Sequence, residues 1–241
     1  MGSKVRWRRV SFAIALGCAL LAGFSIEARA DQAQSFHAKG SARQLTGAPG
    51  IYEWSYGAKV GPSPYDQIGL HHVAKGPVPA AQPKIVLLYL PGTNMNGEIA
   101  VEDPRYSFPV YMAVHDVDVW TLDYRTHFVP PTTDAKDLAP VMQGWTNEAF
   151  ASDIEDAARF IMQQTGAAKI DVAGFSRGVT FAYLFAALHP QQTAGVIALD
   201  GFIPDHPSTA APPERLVDDI GGAHLTYDKR RTLMQMVIDN P

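Results

Sequence analysis

The chain alternates between two hydrophobic patterns. Ile51-Tyr52-Glu53-Trp54-Ser55-Tyr56 alternates apolar and polar residues, as an outer strand does. Ile68-Gly69-Leu70-His71-His72-Val73 predicts a second early strand, after the Gly61-Pro62-Ser63-Pro64 turn. Lys84-Ile85-Val86-Leu87-Leu88-Tyr89-Leu90 is then almost continuously apolar, the pattern of a parallel strand covered on both faces. Further strands are predicted at Val117–Tyr124, Lys169–Ala173 and Gly195–Leu199. Between them the period changes from two to 3.6. Ser107–His115 predicts a short helix. In the stretch from Asn147 to Gln164, Phe150, Ile154, Ala157 and Ile161 share one face, and Gly166 marks the stop. Val179 to Leu188 is apolar nearly all round, which predicts a buried helix ending at His189-Pro190. Strands and helices alternating at this spacing predict an α/β fold: a mostly parallel sheet with helices on both faces. From Phe202 the pattern breaks into a loop with Pro204, Pro207, Pro212 and Pro213, followed by a helix-type piece from Leu225 to Ile238.

The N-terminus changes the domain picture. Lys4, Arg6, Arg8 and Arg9 precede an apolar run from Phe12 to Phe24, and Ala28-Arg29-Ala30 is a small-x-small cleavage pattern. Residues 1–30 therefore read as a secretory signal peptide, and the expected destination is secreted or periplasmic. The apolar run is shorter than the roughly 20 residues of a membrane span, so no stable span is expected after cleavage. Residues 31–50 read as a flexible lead-in, 51–201 as the core, and 202–241 as a loop with part of a cap or lid. Cys18, the single cysteine, lies in the leader, so the mature chain is expected to fold without disulfides. The leader holds five of the 20 basic residues and one of the 24 acids, which leaves a mature net charge of −8. That balance, with no basic cluster outside the leader, argues against a nucleic-acid partner.

The candidate chemistry is at Gly174-Phe175-Ser176-Arg177-Gly178, a G-x-S-x-G pattern set between a predicted strand and a predicted buried helix. A strand-to-helix turn of this kind strains the serine and exposes its hydroxyl at the positive end of the helix. The two glycines let strand and helix approach closely. Here the chain resembles the α/β-hydrolase superfamily, of serine esterase and lipase type. The resemblance covers roughly residues 84 to 201 and implies that Ser176 is the nucleophile. It implies an oxyanion hole formed by the backbone N–H of Arg177 and by the loop after the first strong strand, Pro91-Gly92-Thr93-Asn94, where Thr93 is the expected donor. Pro91 stands where lipases and esterases of this type carry His. Between Asp118 and Gly178 the chain looks most like the acid-lipase branch, through Asp123-Tyr124-Arg125, Trp145, the long helix and Ser176. Arg177 departs from the small residue or Gln usual there, which opens the question of substrate class.

A serine hydroxyl needs a base and an orienting carboxylate. Asp200, at the end of the strand after the nucleophile helix, is the candidate acid, with a strand-capping role as its alternative. The later histidines are His206 and His224, and His224 in Gly221-Gly222-Ala223-His224 is the candidate base. In the superfamily the histidine follows a last strand, and no two further strands are readable after Asp200. The expectation is that this chain stops inside a cap or lid insertion. The expected function is an exported serine hydrolase of small-molecule or lipid esters acting through an acyl-Ser176 intermediate. The alternatives are a non-catalytic binding module on the same scaffold and a truncated hydrolase inactive alone. No cofactor or metal is expected. His71 and His72 are adjacent on a strand and face opposite sides, so they read as an outer-strand pair, and Asp116, Asp118 and Asp123 read as ordinary strand-bordering carboxylates.

Overall fold

The continuously apolar runs form the middle of the sheet. The computed structural model describes residues 35–80 and 82–201. Its strands are β1 (His37–Ala38), β2 (Arg43–Gln44), β3 (Ile51–Lys59), β4 (Gln67–Lys75), β5 (Val86–Leu90), β6 (Asp118–Asp123), β7 (Ile170–Phe175) and β8 (Thr193–Leu199). They lie in one mixed sheet in the order β1-β3-β4-β6-β5-β7-β8, with β2 also paired to β3. Strands β5 to β8 run parallel, while β3 and β4 join antiparallel. Every residue of β5 and β6 is buried, which is why their sequences carry no alternation.

Helices cover both faces. On one, Val110 and Ala113 of α1 (Phe108–Val114) pack with Leu87, Tyr89, Val119 and Ala173. On the other, α3 (Asn147–Thr165) and α4 (Arg177–Leu188) lie over Leu88, Leu90, Trp120 and Leu122. Ile154, Ala157, Ile161, Phe181 and Phe185 are the buried teeth of those two helices. Each large aliphatic or aromatic chain buried in this way contributes about 1.5–3 kcal/mol. Thr146 caps α3 by accepting from the Ala149 N–H at 3.3 Å. Gly166 closes it with φ 69° and an N–H to Met162 O at 2.9 Å. The carboxyl ends of β5, β6, β7 and β8 therefore open toward one end of the sheet, where α/β proteins bind ligands.

Three readings differ from the sequence expectation. Residues 36–48 are not a flexible lead-in. His37 pairs with Gly57 and Arg43 with Glu53, Phe36 stacks on Phe160 at 4.7 Å, and Leu45 is 1% exposed. Two-residue strands with isolated apolar anchors leave no period to detect. Helix α2 (Ala135–Met142), capped by Asp134, stands where no element is predicted. Strand β4 is interior rather than outer, lying between β3 and β6. Among the described residues no helix is long and apolar enough to cross a membrane. The signal peptide expected over 1–30 and the cap segment expected over 202–241 lie outside the described residues.

Candidate active site

Strand β7 ends at Phe175 and α4 begins at Arg177, leaving Ser176 alone in the turn. Its backbone sits at φ 51°, ψ −118°, a conformation that costs a non-glycine residue about 1–3 kcal/mol. Packing holds it there. The Ser176 N–H donates to Leu199 O of β8 at 3.0 Å, and Ser176 O accepts from the Val179 N–H at 3.0 Å. A Cβ on Gly174 would lie 2.2 Å from Gly178 O, and one on Gly178 would lie 2.0 Å from Leu90 O. Only glycine fits either place, so β7, α4 and the end of β5 close tightly round the serine. Among the described residues nothing hydrogen-bonds the Ser176 hydroxyl.

The loop after β5 presses against this turn. The position of a Cβ on Gly92 is 3.1 Å from Ser176 Cβ and 3.1 Å from the Phe175 ring. Gly92 O accepts from the Met95 N–H at 3.1 Å, Asn94 adopts φ 60°, and the Tyr124 hydroxyl donates to Pro91 O at 3.1 Å. Thr93 is thus an exposed residue of a tight turn beside Ser176. The Arg177 N–H belongs to the first turn of α4, where helices lack internal acceptors. The Arg177 side chain turns toward α3, with its guanidinium carbon 5.1 Å from the Phe181 ring centre and 5.6 Å from that of Phe150, and a 3.4 Å bond to Asn147 Oδ1. Ser176, Arg177 and the Thr93 loop are therefore brought together.

Asp200 directly follows the strand whose last carbonyl holds the Ser176 N–H. It is exposed, with φ 48°, and Gly201 behind it packs on Val179 and Ser176 O. It meets no histidine among the described residues. His206 and His224 lie outside them.

No family model and no curated protein matches the chain. Among solved structures, a "putative lipase from Sulfolobus solfataricus" overlays with a TM-score of 0.66 at 29% identity. The overlay covers 72% of this chain and 52% of that one, so this chain spans about half the length of that relative. The chain belongs to the α/β-hydrolase superfamily. Weaker likenesses include esterase Est22 (TM-score 0.47, 17% identity, 68% of this chain and 48% of that one). Another is a cold-adapted esterase from an Arctic intertidal metagenomic library (TM-score 0.44, 16% identity, 67% and 63%).

Two buried polar networks surround the site of this α/β-hydrolase superfamily member, and sequence reasoning reached neither as a network. In the first, Arg125 forks onto Asp153 of α3 (Nε to Oδ2 2.6 Å, Nη2 to Oδ1 2.7 Å) and reaches Asp66 at 2.8 Å. Asp66 also accepts from Trp145 Nε1 at 2.8 Å. Arg125 and Trp145, two residues of the branch resemblance, are thereby joined through one carboxylate. In the second, His71 lies between Glu53 (Nδ1 to Oε1 2.7 Å) and Asp123 (Nε2 to Oδ2 2.9 Å), and the Gly97 N–H donates to Asp123 Oδ1 at 2.7 Å. His72 faces the other side of the sheet, as the strand alternation requires. It is stacked 4.0 Å from Trp120 and bonded to Asp118 at 2.8 Å. The pair is thus two separately partnered imidazoles on an interior strand. The partners lie 18 to 52 residues away, so local pattern carries no trace of them.

Proposed function

We propose that the protein is an exported serine hydrolase of carboxylic esters, with Ser176 as nucleophile. The observation that carries this reading is the strained Ser176 backbone at the end of a parallel strand, with the Gly92 turn packed against it. The lipase description of the Sulfolobus solfataricus protein supports the substrate class. In the proposed reaction Ser176 Oγ adds to the ester carbonyl carbon while a base takes its proton. The oxygen that becomes negative is held by the Arg177 and Thr93 backbone N–H groups, each worth roughly 3 kcal/mol of barrier. Collapse expels the alcohol, which takes up the proton, and leaves an acyl-Ser176 ester. Water then adds to that ester with the same base and donors, releasing the carboxylic acid and restoring the serine. Asp200 is proposed as the acid and His224 as the base. Residues 1–30 are proposed to direct export.

The experiment is turnover of p-nitrophenyl acetate and butyrate by the exported protein and by Ser176→Ala. We expect loss of at least about 10³-fold in kcat/KM, in line with removal of a nucleophile. Unchanged turnover would sink the reading. A second reading is a non-catalytic binding module on the same scaffold. A fluorophosphonate probe separates the two, because adduct formation at Ser176 requires an activated hydroxyl.

A further inference from the structure

The loop from Pro91 to Ser107 carries Thr93, and its fixation does not come from its own hydrogen bonds alone. Gly97 is pinned on both backbone atoms: its N–H donates to Asp123 Oδ1 at 2.7 Å, and its carbonyl accepts from the Thr121 hydroxyl. A Cβ at Gly97 would lie 2.9 Å from the Leu122 backbone, so the loop lies directly on β6. Asp123 in turn meets His71 Nε2, and His71 Nδ1 meets Glu53. Side-chain exposure is 3% for Asp123, 12% for His71 and 6% for Glu53. The same loop is tied a second time, where Glu102 accepts from Arg43, Thr46 and the Gly47 N–H, and Arg43 also bonds Glu53. Two chains of charge-assisted bonds therefore converge on one loop, and both pass through Glu53.

The charge state of His71 follows from geometry. Both ring nitrogens face carboxylate oxygens, which only accept when ionised, so both nitrogens must carry hydrogen. A neutral ring would set one bare lone pair against a carboxylate. Burial works to lower the His71 pKa, but the bonds to Asp123 and Glu53 outweigh it and raise it to about 9. The remaining charges around the ring are His127, which opposes the imidazolium, and Glu98, which bonds His127 on the loop side.

The geometry points to Glu53, His71 and Asp123 as a positioning relay that holds the oxyanion-forming loop against Ser176 through the Gly97 N–H. None of the three touches a reacting atom. Their effect is to fix the height of the Gly92-Thr93 turn, where a displacement of about 1 Å costs on the order of 100-fold in rate. This inference rests on the ester-hydrolase reading for its catalytic consequence, but not for the brace itself.

The test therefore has two readouts on the full exported chain. The first is amide hydrogen exchange over residues 92–99 in the parent, His71→Gln, Asp123→Asn and Asp123→Ala. We expect faster exchange in His71→Gln, faster still in Asp123→Ala, and partial protection in Asp123→Asn, whose amide oxygen can still accept from Gly97. The second is the kcat and KM profile against pH for p-nitrophenyl butyrate. His71→Gln is expected to lower kcat roughly 10- to 100-fold with KM changed less than about threefold. It should also lose the alkaline fall in kcat centred near pH 9 in the parent. Retained far-UV circular dichroism separates this from global unfolding. Unaltered loop exchange in both His71→Gln and Asp123→Ala overturns the brace. Faster exchange with unchanged kcat overturns its catalytic role. Faster exchange in a parent that hydrolyses no ester leaves the brace standing and removes the hydrolase reading.

Discussion

A Cβ added at Gly178 would sit 2.0 Å from the carbonyl oxygen of Leu90 and 2.8 Å from that of Pro91. The atoms in its way are backbone of the strand that leads into the Thr93 loop, so no rotamer change relieves the clash. Gly178→Ala must move either α4 or the end of β5. We expect it to destabilise the fold by about 3 kcal/mol, as overpacking of a tight core does, seen as a lower urea midpoint at unchanged slope. It should also reduce Ser176 reactivity toward a fluorophosphonate by more than its loss of folded population explains, because both sides of the turn shift. A midpoint within experimental error of the parent would mean that the close approach of α4 to β5 is not a constraint.

At the scale of elements, the Arg125 knot ties the turn after β6 to α3 and to the β3–β4 connection. Asp153 and Asp66 have 2% and 8% exposed side chains; Asp153 depends on the guanidinium, while Asp66 shares it with Trp145 Nε1 and the Ser63 N–H. Removing one partner of a buried pair leaves an uncompensated charge, which costs about 3–5 kcal/mol. Arg125→Met should lose that much in urea unfolding, and Arg125→Lys an intermediate amount, because an ammonium keeps the charge but not the fork onto Asp153. A loss below 1 kcal/mol for Arg125→Met would show the knot to be dispensable. The contrast with the strands explains what the sequence disclosed. Strand β5 was legible because two-sided burial writes itself as an unbroken apolar run, and β6 and β7 because their apolar cores, Val119-Trp120 with Leu122 and Val172-Ala173, are broken only by single polar residues. Helix α3 was legible because one buried face recurs every turn. The glycines of the turn were legible because close approach demands them at fixed spacing. Strands β1 and β2 were not, since two residues cannot establish a period. The knot and the His71 relay were not, since Asp66, Arg125 and Asp153 meet only after three elements have folded. Nothing in the local pattern around Asp153 marks its pairing with Arg125.

Across the whole molecule, the Arg43, Glu53, His71 and Asp123 chain runs through β2, β3, β4 and β6, the half of the sheet that joins antiparallel. A charge lost at its centre is therefore felt by four strands and cannot be relieved by one loop moving. The His71 pKa of about 9 in the fold stands above the ordinary 6.5, so the folded state holds its proton more tightly than the unfolded chain does. Stability from this group is fully present below pH 6.5, declines between 6.5 and 9, and is absent above 9. At 1.36 kcal/mol per unit the total is on the order of 3 kcal/mol. Glu53 and Asp123 act in the opposite range: burial raises their pKa values, but His71, joined by Arg43 at Glu53 and by His127 and the Gly97 N–H at Asp123, outweighs it and holds both below the ordinary carboxylate values. Their contribution is lost only as acid protonates them, well below the window of His71. Urea unfolding at pH 6, 7.5 and 9.5 should thus show the parent losing stability across the series, while His71→Gln changes much less. The gap between the two should be widest at pH 6 and nearly closed at pH 9.5. Parallel curves for parent and variant would mean that His71 is already neutral in the fold, and that the relay is held by hydrogen bonds without the imidazolium charge.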